Sequence, residues 1–236
     1  MWSKKLLLLI TIILFLSGCA WWKGKEIPRN NPDALYQKGY EDYQKGRYEQ
    51  AIVSFQRLKE EYPLSELTIR AELGIADSHF SMEEYGYAEI AYNDFINLHP
   101  ANDNLSYVMY QIGMCHYAQL LSIDRDQTDT WKALKAFERL VVRFPTSKFS
   151  FLAEKKIREC KIRIAEYEYY VGEIYFKMKK YQAAMRRFEN IVKNYANLGL
   201  DYKVNFIIEE TKKQLRSQEK AEVEKKAKAE AKNKAK

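Results

Sequence analysis

The sequence contains few of the residues that interrupt helices. Its 236 residues include nine glycines and five prolines. From Asp33 to about Ser217, apolar side chains return every three or four positions, and no stretch alternates as a half-buried strand would. The pattern therefore predicts an all-α fold.

The residue groups that carry most enzyme chemistry are also absent. The three histidines, His79, His99 and His116, are far apart, and there is no HExxH, CxxC, GxSxG or glycine-rich phosphate loop. An acidic run at residues 124–126, with Asp129, alternates somewhat as calcium ligands do, but it lacks the glycine and the final glutamate of an EF-hand. We expect the histidines to lie on helix surfaces or in a groove, and the protein to be a non-enzyme without metal or cofactor.

Cysteine is scarce, and two of the three cysteines are predicted to be structural. Cys115 and Cys160 lie in helical segments among apolar residues. An oxidising compartment would allow them to pair if the fold brought them together. Two small buried core residues are the simpler interpretation, because free cysteine packs as a small apolar side chain.

Cys19 is predicted to have a different role, because of the residues that precede it. A basic start with Lys4 and Lys5 is followed by an apolar stretch from Leu6 to Phe15 and then by Leu-Ser-Gly-Cys, which ends at Cys19. The apolar stretch is short for a permanent membrane span, so the pattern predicts a cleaved signal peptide with a lipobox. The mature chain should begin at an acylated Cys19. Ala20 is not the aspartate that retains lipoproteins in the inner membrane, which favours the outer membrane, facing the periplasm.

The net charge does not indicate a nucleic-acid partner. The formal charge is +7, and removal of the two signal-peptide lysines leaves +5. From Lys212 onward ten Lys or Arg stand against four Glu, a sum of +6, so residues 19–211 sum to −1. A duplex-binding domain would carry its excess charge on the folded part. The lysine-rich end is predicted to be disordered or a single helix. The expected segments are a signal peptide (1–18), a lipidated tether (19–32), a repeat domain (33–217) and this tail (218–236).

Within the repeat domain, small and aromatic residues recur at the spacings of tetratricopeptide hairpins, whose period is about 34 residues. A small residue on the first helix is followed after 12 residues by an alanine, after four more by an aromatic residue, and after eight more by proline. The four copies are Gly39-Ala51-Phe55-Pro63, Ala76-Ala88-Tyr92-Pro100, Gly113-Ala133-Phe137-Pro145 and Gly172-Ala184-Phe188-Ala196. The small residues let the two helices approach, the aromatic ring fills the space beside them, and proline ends the second helix.

The third and fourth copies depart from this pattern. The third has eight extra residues, which we place in the polar loop Ser122 to Thr130, and the fourth has Ala196 in place of the proline. Two further helices are implied, from Lys148 to about Ile164 and from about Leu200 to Ser217. The total is about ten helices, nominally five repeats, in a right-handed superhelix with a concave groove.

The first helices of such hairpins line the groove, and this predicts a set of substrate-binding residues. Aromatic and methionine side chains recur there at helical spacing, and an acidic residue faces inward from the second repeat. The predicted groove residues are Tyr36, Tyr40, Asp77, Tyr110 and Met114. Tyr43 and Tyr117 belong to the same stripes and are predicted to be core.

Four segments go beyond the generic repeat. They are NLSYVMYQIG (104–113), DRD (124–126), FERLVVRFPTSKF (137–149) and AEYEYYVGEIYFK (165–177). Together they resemble the BamD (ComL) family of outer-membrane lipoproteins. The resemblance implies a five-repeat scaffold whose C-terminal repeats dock onto the POTRA domains of a BamA-like protein. It also implies that the N-terminal repeats bind unfolded outer-membrane proteins, and that other assembly lipoproteins are further partners.

The fourth hairpin concentrates positive charge, and this predicts the docking surface. Its basic residues surround one tyrosine, and the resemblance implies that Arg187 couples the interface. The predicted interface residues are Lys180, Tyr181, Arg186 and Arg187. A pilotin-like tetratricopeptide lipoprotein that escorts a secretin is the alternative, although it would not be expected to carry the YVMY and AEYEYYVGE segments.

Overall fold

The computed structural model describes residues 31–234, and all regular secondary structure in that range is helical. The nine helices are α1 (Pro32–Gln44), α2 (Tyr48–Glu61), α3 (Glu66–Ser81), α4 (Tyr85–Leu98), α5 (Leu105–Tyr117), α6 (Thr128–Arg143), α7 (Lys148–Lys177), α8 (Tyr181–Asn194) and α9 (Asp201–Lys234). The predicted all-α tetratricopeptide fold is confirmed.

Residues 31–234 divide into two compact units, the first ending at Ser78 and the second beginning at His79, near the end of α3. Each unit has its own apolar core. The core of the first is formed by Leu35, Ala51, Phe55, Leu58 and Ala71. The core of the second runs through α6 to α9 and includes Phe137, Leu140, Ile164, Phe188 and Val204.

Within each unit, the repeat spacing has the predicted structural reason. A Cβ atom added at Gly39 would lie 2.6 Å from the ring of Phe55, and one added at Gly74 would lie 2.5 Å from it. In the second unit, a Cβ atom added at Gly113 would lie 2.4 Å from the ring of Phe137, and one added at Gly172 would lie 2.4 Å from the ring of Phe188. These separations are shorter than the closest distance between two non-bonded carbon atoms. Only glycine therefore allows the helices to pack this closely around the ring.

Three of the hairpin turns share one backbone conformation. Gly46, Glu83 and Lys179 have φ angles of 71°, 61° and 59°, and each is followed by one residue and then the next helix. The left-handed backbone conformation is less favourable for a residue with a Cβ atom than for glycine. Glu83 and Lys179 adopt it because their backbone N–H groups bond the carbonyls of Phe80 and Phe176, at 3.0 and 2.9 Å.

Residues 148–177 contain one helix fewer than the repeat count implied. The helix expected from Lys148 to about Ile164 and the first helix of the fourth hairpin form a single helix of 30 residues, α7. No glycine or proline occurs between Lys148 and Gly172, so nothing in the sequence stops the helix. This fusion gives nine helices over residues 31–234 where ten were expected.

The first half of α7 is held against α5 by a polar contact. The Tyr117 hydroxyl donates to a Glu159 carboxylate oxygen at 2.6 Å, and Lys156 lies 3.9 Å from the centre of the tyrosine ring. Burial raises the pKa of Tyr117, while the hydrogen bond from Tyr117 lowers the pKa of Glu159. Tyr117 is thus half-buried and packs against the core of its unit rather than inside it.

The last helix continues beyond the predicted end at Ser217. α9 runs from Asp201 to Lys234, so the lysine-rich segment is helical as far as Lys234. Asp201 accepts a hydrogen bond from the backbone N–H of Asn197 at 2.9 Å, and this bond lowers the pKa of Asp201.

Among the helices of residues 31–234, none has the length and apolar content needed to span a membrane.

Candidate partner-binding surfaces

The N-terminal tyrosine pair lies on α1 in the first unit. The rings of Tyr36 and Tyr40 stack with centres 6.4 Å apart and planes 13° apart. Tyr36 is half-buried and also packs on Phe55 at 5.8 Å, whereas Tyr40 is 45% exposed. One ring is therefore anchored in the core and holds the other at the surface, where a ligand can reach it.

The remaining predicted groove residues are half-buried. Asp77 lies in the first unit, and Tyr110 and Met114 lie on α5 in the second. The Tyr110 ring packs against Phe137 at 5.6 Å and Phe149 at 5.8 Å. Met114 packs against the same core. Tyr110 and Met114 therefore expose only part of their surface, and Tyr40 is the most accessible of the five.

The acidic loop before α6 is held together by hydrogen bonds of its own side chains. The Asp126 carboxylate accepts hydrogen bonds from the backbone N–H of Thr128 at 3.1 Å and from its hydroxyl at 2.8 Å. Gln127 is buried, and its side chain donates to the Ser122 and Arg125 carbonyls at 2.8 and 3.0 Å. In the part of the chain that the structure describes, no group of three His, Cys, Asp or Glu is placed to hold a metal ion.

His116 corrects one sequence prediction. It was expected at a helix surface or in a groove, but it is buried on α5. Its Nε2 lies 3.2 Å from Glu89 on α4, and its Nδ1 lies 3.4 Å from Asp129 on α6. The imidazole therefore lies between carboxylates of two other helices, but its buried Nδ1 makes no hydrogen bond with any residue of 31–234.

The cysteines of the second unit are two free, buried thiols. Burial raises the pKa of Cys115 to about 12 and that of Cys160 to about 11. Both thiols stay protonated near neutral pH, which makes them poor nucleophiles. The interpretation of these cysteines as core residues is confirmed; Cys19 lies outside the described residues.

Arg187 has a partner within its own unit. Its Nη1 donates to both carboxylate oxygens of Glu168 on α7, at 3.0 and 3.1 Å. The Glu168 side chain is 7% exposed and that of Arg187 is 38% exposed. Burial lowers the pKa of Arg187, but the hydrogen bond and the charge of Glu168 raise it above its usual value. The sequence did not suggest this pair, because the two residues are 19 positions apart.

The other predicted interface residues differ in accessibility. Tyr181 is buried, and its ring packs edge-on against Phe176 at 5.3 Å. Lys180 and Arg186 are exposed. Of the four, these two are the best placed to meet a partner.

Two aromatic side chains that the sequence did not single out are exposed on α9. Tyr202 is 87% exposed and Phe206 is 61% exposed. They are four residues apart and therefore share one face of the helix. Val204 and Ile208 are turned into the core instead. We use the name C-terminal surface for these exposed residues of the last two described helices, Arg186 on α8 and Tyr202 and Phe206 on α9.

The sequence relatives of the chain show its family. The outer membrane lipoprotein family YfiO matches residues 28–228. The chain belongs to the YfiO family. One curated relative is the outer membrane protein assembly factor BamD of Rickettsia prowazekii, 32% identical over 193 residues, which cover 82% of this chain and 77% of the relative. The BamD of Neisseria meningitidis is 27% identical, with 82% and 78% covered.

Solved structures resemble the chain more distantly. The tetratricopeptide domain of Arabidopsis OM64 is 14% identical, covers 56% of this chain and 97% of its own, and has a TM-score of 0.43. PcrH from Pseudomonas aeruginosa is 19% identical over 60% of this chain and 98% of its own, with a TM-score of 0.44. The assignment of this YfiO-family chain as an outer-membrane lipoprotein rests on the sequence relatives.

Proposed function

We propose that this protein is a non-catalytic scaffold for the assembly of outer-membrane proteins. It binds a BamA-like barrel assembly protein through its C-terminal repeats and unfolded barrel proteins through its N-terminal repeats. The observation that supports the first contact most directly is the exposed Tyr202–Phe206 pair on the last helix. The relatives are named as assembly factors rather than as enzymes, which supports the scaffold role.

The argument for the C-terminal surface comes from repeat architecture. In a helical repeat array, a helix face that no other helix covers is normally polar. Within residues 31–234, the uncovered face of α9 carries two large aromatic side chains. Aromatic residues and arginine are the side chains most enriched at the centres of protein interfaces. We therefore expect a partner that covers the exposed rings of Tyr202 and Phe206 and places a carboxylate near the exposed guanidinium of Arg186.

We expect Phe206→Ala to weaken binding to the purified POTRA domains of the BamA-like partner by about 1 to 3 kcal/mol, because the ring is accessible and can anchor the contact. Arg186→Glu should weaken it as well, and more strongly at low salt, because it turns a favourable charge pair into a repulsive one. Isothermal titration of the mature protein would measure both effects.

Lys155→Glu serves as the control for charge, since Lys155 is exposed on α7 outside the C-terminal surface. The proposal predicts unchanged affinity for this variant. If Phe206→Ala and Arg186→Glu bind the POTRA domains as tightly as the wild type does, the partner must dock elsewhere on the chain.

For the N-terminal repeats, we propose that Tyr40 stacks on the aromatic end of an extended barrel-protein segment. Tyr36 holds the Tyr40 ring in place, so little side-chain entropy is lost on binding. Tyr40→Ala should weaken binding of a peptide copied from the last strand of a barrel protein by about 1 to 3 kcal/mol. Fluorescence anisotropy would measure this loss. Tyr87→Ala is the matched control, because Tyr87 is also exposed but lies on α4. Equal loss in the two variants would mean that the Tyr40 ring has no specific role.

A further inference from the structure

The second helix of the third hairpin, α6, carries a row of cations. Their spacings of three, four and four residues place them on one face, along about 16 Å of helix. They are Lys132, Lys135, Arg139 and Arg143, and all four are exposed. Within residues 31–234, no acidic side chain forms an ion pair with them. The acidic residues of α6, Asp129 and Glu138, face other directions and contact His116 and Lys161.

A pocket of about 360 Å³ lies beside this row. Its apolar lining includes Ile96 of α4 and Met109 and Ile112 of α5, and its polar lining is Asn93, Arg139 and Arg143. The volume is in the range of ligand pockets, about 300 to 1,000 Å³. No carboxylate lines it. Neither guanidinium has a carboxylate partner among residues 31–234, although that of Arg143 lies 5.2 Å from the centre of the Phe144 ring. The site therefore combines two guanidinium groups with space for one apolar side chain.

We propose that α6 and this pocket bind an acidic peptide segment of a partner protein, with one apolar side chain of that segment seated in the pocket. The row of cations favours a linear array of carboxylates, and arginine is well suited to carboxylate contacts. A flat bilayer would meet the cations, but it would leave the apolar lining between the helices unoccupied. The site shares no residue with the tyrosine pair or the C-terminal surface, so it is independent of the proposed function.

The first test measures the charge contribution. The probe is a fluorescein-labelled nine-residue peptide with glutamates around a central leucine, titrated against the full mature protein in detergent and followed by anisotropy. Arg139→Glu/Arg143→Glu should weaken binding at least tenfold. Lys213→Glu/Lys220→Glu makes the same change in net charge at two exposed positions of α9 and should change affinity less than threefold. Equal losses in the two double variants would overturn the proposal, because only net charge would matter.

The second test measures the pocket contribution. A peptide with glycine in place of leucine has the same charge and should bind the wild-type protein at least fivefold more weakly. Asn93→Tyr places a ring at the pocket lining from an exposed position, and it should abolish the advantage of leucine over glycine. Circular dichroism would verify that each variant is folded. If the Arg139→Glu/Arg143→Glu variant is not folded, Arg139→Gln replaces it as a milder change. Leucine and glycine peptides of equal affinity would overturn the proposal. A competition experiment with phosphatidylglycerol vesicles gives a second outcome that would overturn the proposal. If the vesicles displace the peptide from the wild-type protein and do not bind the Arg139→Glu/Arg143→Glu variant, the face is a membrane contact.

Discussion

Cys19→Ala is expected to remove the protein from the outer-membrane fraction. The lipobox that ends at Cys19 places the thiol where a lipoprotein signal peptidase requires an acylated cysteine. Without the thiol, the chain should persist as a precursor that is 18 residues longer and carries no acyl groups. Each buried methylene contributes about 0.8 kcal/mol to membrane binding, so the loss of the acyl chains removes the lipid anchor of the mature protein. Fractionation followed by intact mass measurement would show the change.

Cys160→Ala is the control for the removal of a cysteine. Cys160 is a buried, protonated thiol in the second unit, so this variant should be acylated and should fractionate as the wild type does. A wild-type protein whose intact mass includes no acyl groups would contradict the assignment of Cys19.

The hairpins could be predicted because their packing depends on residues at fixed local spacings. Glycine on the first helix and phenylalanine on the second come into contact in each unit, as the spacings of Gly39 and Phe55 and of Gly172 and Phe188 required. The boundary within α7 could not be found in the same way. The repeat pattern suggests where a helix belongs but does not fix where it ends, since α3 and α7 end before Glu83 and Lys179 without a glycine or proline.

The surfaces were harder to predict because they depend on how each helix is rotated. On α9, apolar residues occur on two sides, and the sequence does not say which side packs inward. In the structure Val204 and Ile208 do so, leaving Tyr202 and Phe206 outside. His116 was misassigned for a similar reason, since its partners Glu89 and Asp129 come from two other helices.

Loss of the Arg187 side chain is expected to destabilise the second unit strongly. Arg187→Ala leaves the Glu168 carboxylate buried without its cationic partner. Breaking a fully buried pair in this way costs about 3 to 5 kcal/mol. Because water reaches part of the Arg187 side chain, we expect about 2 to 3 kcal/mol. Urea unfolding followed by circular dichroism would measure the loss.

A double-mutant cycle separates the ion pair from simple packing. In a Glu168→Gln background there is no buried charge to compensate, so Arg187→Ala should cost only about 1 kcal/mol. An equal cost in both backgrounds would show that the pair contributes nothing specific.

The result also bears on the docking surface. Arg187→Glu would place two carboxylates together inside the unit, so a loss of partner binding in that variant could come from a disturbed fold. Arg186 is exposed on the same helix and lacks a partner among residues 31–234, so Arg186→Glu tests the interface without this ambiguity.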